Sequence, residues 1–208
     1  MKELIVIISL SVICMGSLFS QTTRSAEEAS GLQTGIKAPL FMASDAEGNS
    51  FSLEETLQKG PVVLIFYRGQ WCPVCNKHLG QVQDSLSLIT ELGATVVAVS
   101  PEKPDYLKKT EEKTGASFRL LYDESYRIAD AYDVTFTPEK KQLFVYNTVL
   151  NANLKEAQSD NSQRLPIPAT YIIDKKGYII WRQFDPDYKN RSNVQDIIVA
   201  LKDRTALQ

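Results

Sequence analysis

Pro61 to Tyr67 is an unbroken apolar run rich in β-branched side chains, the pattern of a strand buried on both faces and therefore central in its sheet. Thr95 to Ser100 repeats that pattern. Between the two, Leu79, Val82, Leu86, Ile89 and Leu92 recur at steps of three and four, which predicts a helix from about 73 to 92 that stops at Gly93. Strand, helix and strand in this order make a crossover, with the strands parallel and the connection right-handed. The polar, Lys-rich segment 104–114 reads as a surface helix ending at Gly115.

Upstream, Phe41 and Phe51-Ser52-Leu53 flank the turn-rich Asp45-Ala46-Glu47-Gly48, which predicts a hairpin, with ordered structure beginning near Ala38-Pro39. Downstream, Phe118 to Tyr122 reads as a short strand, and Tyr126, Ile128, Ala129 and Tyr132 have near-helical spacing. Segment 133–165 is the least regular; with a helix expected near Lys140 to Val149 and a long polar stretch after it, it reads as an insertion. Ala169 to Ile173, the turn Asp174-Lys175-Lys176-Gly177, and Tyr178 to Trp181 form a second hairpin. Val194, Ile197, Ile198 and Leu201 make a helical stripe suited to covering a sheet.

The N-terminus follows a different logic. Lys2 precedes an apolar segment from Leu4 to Met15, followed by small residues through Ser20, which reads as a secretory signal over residues 1–20. The segment is short for a membrane span, and Cys14 follows Ile13 rather than the small residue expected at a lipidation site. The expectation is an exported chain, periplasmic or otherwise extracytoplasmic, with no stable membrane insertion after cleavage. Residues 21–34 read as a flexible leader and 35–208 as one domain, for which 208 residues at 43% hydrophobic content suffice. A net charge of −2 gives no reason to expect a nucleic-acid partner.

Removing the signal leaves Cys72 and Cys75 as the remaining cysteines, in Trp71-Cys72-Pro73-Val74-Cys75, where the strand run meets the helix pattern. Pro73 suits the first helical position, where its missing N–H would have had no partner. Cys72 then falls near the cap and Cys75 about one turn inside. A thiol of pKa about 8.5 is only roughly 3% ionised at pH 7, whereas one near 6 is roughly 90% ionised, so a helix N-terminus decides reactivity. A disulfide across so short a loop constrains the unfolded chain little, which favours redox chemistry over stapling. Cys72, Cys75 and His78 could offer three zinc ligands, but a structural site wants four, and no metal or cofactor is expected. Asn76 stands where covalent haem attachment needs His. His78 either raises the positive potential near Cys75 or is a solvated helix residue, the latter favoured.

Phe66-Tyr67-Arg68-Gly69-Gln70-Trp71-Cys72-Pro73-Val74-Cys75, Leu165 to Asp174, Asp185 to Arg191, and Gly35 to Pro39 together resemble the peroxiredoxin-like branch of the alkyl hydroperoxide reductase and thiol-specific antioxidant family. The resemblance covers about residues 35–203. It implies an α/β thioredoxin-like fold, a central mixed sheet flanked by helices, with the insertion preceding a cis-proline loop at Pro168 that faces the cysteines. Catalysis is assigned to Cys75 and Cys72, with Trp71, Pro73, Pro168 and Arg68 in support. Against the family pattern P-x-x-x-T-x-x-C, Arg68 replaces Pro, Cys72 replaces Thr, and Cys75 matches the peroxidatic position. No Arg matching the one the family places beside peroxide is found near the Pro168 loop. Trp71-Cys72, Cys75 and the proline are also shared with thioredoxins.

Two mechanisms follow from this hybrid. As a peroxidase, Cys75 attacks a hydroperoxide and Cys72 resolves the sulfenic acid into a disulfide, which an external thiol reductant such as a thioredoxin-like protein reduces. As a thiol-disulfide reductase, Cys72 attacks a substrate disulfide and Cys75 resolves. A third reading, a non-catalytic redox sensor, would oxidise without turning over. Family resemblance favours the peroxidase, while the missing Thr and Arg favour disulfide exchange.

Overall fold

The computed structural model describes residues 24–205, so the predicted signal segment lies outside the described residues. Two hairpin strands, β1 (Met42–Ser44) and β2 (Ser50–Ser52), lead into a short helix α1 (Leu53–Lys59) whose first turn is capped by Ser52. The central strand β3 (Val62–Phe66) is followed by α2 (Pro73–Asp84), α3 (Leu86–Glu91), β4 (Thr95–Ser100), α4 (Pro104–Thr114) and β5 (Arg119–Tyr122). The predicted crossover is present, with β3 parallel to β4 and β4 parallel to β5. Gly115 closes α4 at φ +67°, a left-handed conformation that a side chain disfavours.

After α5 (Arg127–Ala131), the insertion forms β6 (Thr135–Phe136), α6 (Lys140–Phe144) continuing into a wide turn over Val145–Val149, α7 (Leu154–Ala157) and β7 (Leu165–Pro166), which pairs back onto β6. The second hairpin, β8 (Ala169–Ile173) and β9 (Ile179–Phe184), and α8 (Val194–Thr205) complete the chain. Seven strands make one mixed sheet in the order β2-β1-β5-β4-β3-β8-β9.

Strand periodicity sorts the core into two layers. Val63, Ile65 and Tyr67 face α2, α3, α4 and α8, packing with Leu79, Val82, Ile89, Leu107, Ile197 and Leu201. Val62, Leu64 and Phe66 face the other way, toward Leu53, Leu57, Ile128 and Tyr132. This is the three-layer α/β architecture with a central mixed sheet that the sequence predicts. Among the described residues no helix is long and apolar enough to cross a membrane.

Three local expectations change. The single helix predicted over 73–92 is two, because Ser85 leaves helical geometry at φ −111°, ψ 10°; serine offers the backbone competing turn bonds that the apolar spacing does not register. Segment 24–34, expected as part of a flexible leader, lies against the domain. Arg24 pairs with Asp133 at 2.6 Å, Ala29 is buried, and Arg182 Nη1 donates to the carbonyls of Ser30, Gly31 and Leu32. These partners are about 100 or more residues away in sequence, so local polarity conceals them. Finally, the Ile167–Pro168 bond is trans, which corrects the cis-proline expectation. Ile167 donates its N–H to Val134 O as β7 runs on toward β8, an extended path that the trans form already fits.

Candidate active site

The cysteine pair stands where β3 hands the chain to α2. Cys72 is the N-cap, Pro73 follows inside the first turn, and the Cys75 N–H donates to Cys72 Sγ at 3.3 Å. The two cysteines are joined as a disulfide, their Cα atoms 5.2 Å apart, a spacing that a bridge spans without moving the backbone. Both sit below the surface, at 2% exposure for Cys72 and 0% for Cys75. Trp71 is buried and packs its ring 5.0 Å from that of Tyr146, while Pro73 is exposed at the rim.

Two guanidinium groups flank this turn. Arg68 is buried, donates from Nη1 to the Tyr146 hydroxyl at 3.1 Å, and stacks 3.9 Å from the Tyr188 ring centre, with Phe136 and Tyr146 rings nearby. Tyr146 and Phe136 belong to the insertion, so that segment builds the wall holding Arg68. No carboxylate pairs with Arg68 among the described residues; aromatic faces and one hydroxyl take that role. Arg191, from the loop after β9, places Nη2 3.4 Å from Cys75 Sγ. Burial, reinforced by the charge of Arg68, lowers Arg191 from its ordinary value, and the guanidinium remains charged at neutral pH. A cation at that distance favours a thiolate on Cys75 once the disulfide is reduced.

The Arg191 loop is pinned through His78. Its Nε2 lies 2.8 Å from Ser192 Oγ, which in turn meets Thr170 Oγ1 at 2.9 Å. Burial, and secondarily the charge of Arg191, pushes His78 down to about 4, so it is neutral at pH 7. The favoured expectation of a solvated His78 is therefore corrected. Its position on α2, one turn past Cys75, turns it inward with Leu79 and Val82. Pro168 is buried next to Ala169 and Thr170.

A buried acid lies behind the turn. Glu102, just past β4, accepts the Gln70 N–H on Oε2 at 2.8 Å, while Oε1 is buried without a partner. Burial pushes its carboxyl up to about 8, against the opposing Gln70 hydrogen bond and the charges of Lys113 and Lys109. Gly69 has φ +150°, and a Cβ there would collide with the Glu102 carboxyl and come within 2.8 Å of Trp71 Nε1. Asn76 Nδ2 and Lys113 Nζ both donate to Gln70 O, at 2.8 and 3.1 Å, so the turn is held from α2, α4 and the end of β4 together.

The structure thus brings Arg68, Trp71, Cys72, Pro73 and Cys75 into one cluster. Arg191, Glu102, Tyr146 and Tyr188 escaped the sequence reading. Arg191 closes the quoted Asp185 to Arg191 motif, which was the available signal. Glu102 sits in the polar run Ser100-Pro101-Glu102-Lys103, where nothing marks it as buried.

A thioredoxin-like α/β fold carrying a dithiol at a helix N-terminus, with a cation on the inner sulfur, defines a thiol-dependent oxidoreductase. Residues 34–182 match the AhpC/TSA family, and the chain belongs to it as an enzyme of the peroxiredoxin type. Peroxiredoxin Bcp of Bacillus subtilis is 27% identical over 83% of this chain and 96% of its own length. The thiol-disulfide oxidoreductase ResA of Geobacillus thermodenitrificans is 24% identical over 73% of this chain and 70% of its own. Among solved structures, peroxidoxin BcpB from Mycobacterium tuberculosis superposes with a TM-score of 0.64 at 20% identity, covering 83% of this chain and 97% of that one, which supports the fold.

Proposed function

We propose that the enzyme reduces hydroperoxides with Cys75 as the peroxidatic residue and Cys72 as the resolving one. The observation that carries this reading is Arg191 Nη2 at 3.4 Å from Cys75 Sγ, which gives that sulfur the charge partner a peroxide-attacking thiolate needs. Cys75 thiolate takes the terminal oxygen of the hydroperoxide, the O–O bond breaks, and the alkoxide leaves as the alcohol after gaining a proton. Cys72 then attacks the sulfenic acid, forming the disulfide and releasing water. An external dithiol of the thioredoxin type is oxidised as it restores both thiols. The chain acts after export, with its N-terminal segment removed between about residues 16 and 26; intact mass of the exported protein tests this.

A second reading, disulfide reduction by Cys72, is favoured by the Cys75 N–H directed at Cys72 Sγ. The variants separate the two. Under the peroxidase reading Cys72→Ser consumes one equivalent of peroxide and yields a trappable sulfenic acid, and Cys75→Ser is inert to peroxide. Under the reductase reading Cys75→Ser accumulates mixed disulfides and Cys72→Ser loses disulfide reduction. A sensor would oxidise in either case without steady-state turnover.

A further inference from the structure

Behind the cysteine turn, Glu102 Oε1, Trp71 Nε1 and the Tyr67 hydroxyl are each buried without a hydrogen-bond partner. Two of these atoms share one gap. Glu102 Oε1 and Trp71 Nε1 both lie within 2.8 Å of the point where a Gly69 Cβ would stand, so the missing side chain of Gly69 leaves a carboxyl oxygen and an indole N–H facing the same space. Each group is otherwise held: Glu102 Oε2 accepts the Gln70 N–H at 2.8 Å, and the Trp71 ring packs against that of Tyr146, whose hydroxyl accepts from Arg68. Cys72, next in the chain, donates its N–H to Gly69 O at 3.1 Å.

Whether carboxyl and indole can bond depends on one proton. A protonated Glu102 accepts on Oε2, where Gln70 donates, and carries its hydrogen on Oε1, so the indole donor meets a second donor. Ionised, Oε1 becomes an acceptor. Burial holds the proton to about pH 8, against the Gln70 N–H and, from α4, the charges of Lys113 and Lys109. Tyr67 from β3, on which Glu102 acts more strongly than any other charge, and Tyr106 from α4 both lie above their ordinary value and keep their protons in this range. The segment after α7 faces it with Gln158, a neutral amide whose backbone bridges to that of Glu102. We propose that Glu102 is a positioning residue for the resolving step, its carboxylate drawing the Trp71 indole N–H into the gap at Gly69 and with it the turn that carries Cys72. The proton passes to solvent and the sulfurs exchange none with Glu102. The inference rests on the peroxidase reading, in which Cys72 acts only after Cys75 has reacted, so attack of Cys75 on peroxide is indifferent to Glu102 and attack of Cys72 on the sulfenic acid is not.

Trp71 reports on the gap without any turnover. In a Trp181→Phe background it is the remaining tryptophan, and in the disulfide form neither cysteine titrates. Its fluorescence is expected to change with a midpoint near pH 8, and Glu102→Gln, which still accepts from Gln70 but cannot ionise, is expected to abolish that change. Rapid mixing with hydrogen peroxide then separates the two steps. Sulfenic acid formation, read in the Cys72→Ser background, should have the same pH profile with Glu102 or Gln. The rate of disulfide formation in the native chain, relative to Glu102→Gln, should fall about two- to tenfold between about pH 6.5 and 9, the reach of one hydrogen bond. A Trp71 signal that titrates alike in both chains, or an equal effect on both steps, overturns the inference and leaves the peroxidase reading standing. No peroxide consumption, with the Trp71 titration present and lost in Glu102→Gln, would instead reject the peroxidase reading, and with it the role in resolution, while the contact between Glu102 and Trp71 stands.

Discussion

Replacing Glu102 by Gln isolates the energetic cost of the acid behind the cysteine turn. In the fold this carboxyl titrates near 8, and in the unfolded chain near 4.5. A raised folded value means that the contribution is fully present below about 4.5 and is lost progressively as pH rises toward 8. Each pH unit in that window costs about 1.4 kcal/mol, so ionisable Glu102 costs roughly 3 kcal/mol at pH 7 relative to a neutral isostere. Gln keeps an oxygen to accept the Gln70 N–H and carries no charge to bury. His78 has the opposite slope, because its folded value near 4 lies below the ordinary 6.5, so its contribution is lost as pH falls. Comparing Glu102→Gln with the native protein cancels that slope. Urea unfolding across pH 5 to 8, with m unchanged, should show the variant gaining stability relative to the native chain at about 1.4 kcal/mol per unit and levelling above 8. A difference that stays flat with pH, or a variant less stable at pH 8, would refute the burial argument.

Arg191→Gln should raise the Cys75 thiolate pKa by roughly 1–3 units and slow peroxide consumption at neutral pH about tenfold or more, read from the pH dependence of thiolate absorbance and of the rate in the Cys72→Ser background. Tyr146→Phe keeps the ring beside Trp71 but leaves Arg68 Nη1 without its hydroxyl, and should cost about 1–3 kcal/mol by urea unfolding. Gly69→Ala combines a positive φ with a collision at Glu102 and should destabilise by at least about 2 kcal/mol, seen as a lowered thermal midpoint.

The strands were legible because burial on both faces leaves a continuous apolar run, as in β3 and β4, and the helices because α4 follows its polar spacing to Gly115 and α8 carries the apolar stripe from Val194 to Leu201. The cysteine turn was legible for a related reason: Pro73 and the helix pattern together place Cys72 at the cap, where it is found. What stayed hidden depends on partners far away in sequence. His78 is polar, yet the neighbouring loop gives it Ser192, and burial follows. Glu102 reads as one more surface charge until Gly69 and Gln70 close over it. Arg191 reaches Cys75 across 116 residues, a contact no local pattern encodes. Arg68 breaks the family pattern in the sequence, and only the aromatic box from the insertion and the β9 loop explains how the fold holds it.

The central claim is that Cys75, charged by Arg191, is the atom that meets peroxide. Stoichiometric oxidation of Cys72→Ser by one equivalent of hydrogen peroxide, with mass spectrometric trapping of the sulfenic acid, tests it most directly. The account predicts one trapped adduct per chain, located on Cys75. No adduct there, together with rapid mixed-disulfide capture by Cys75→Ser, would contradict it and assign the nucleophile to Cys72.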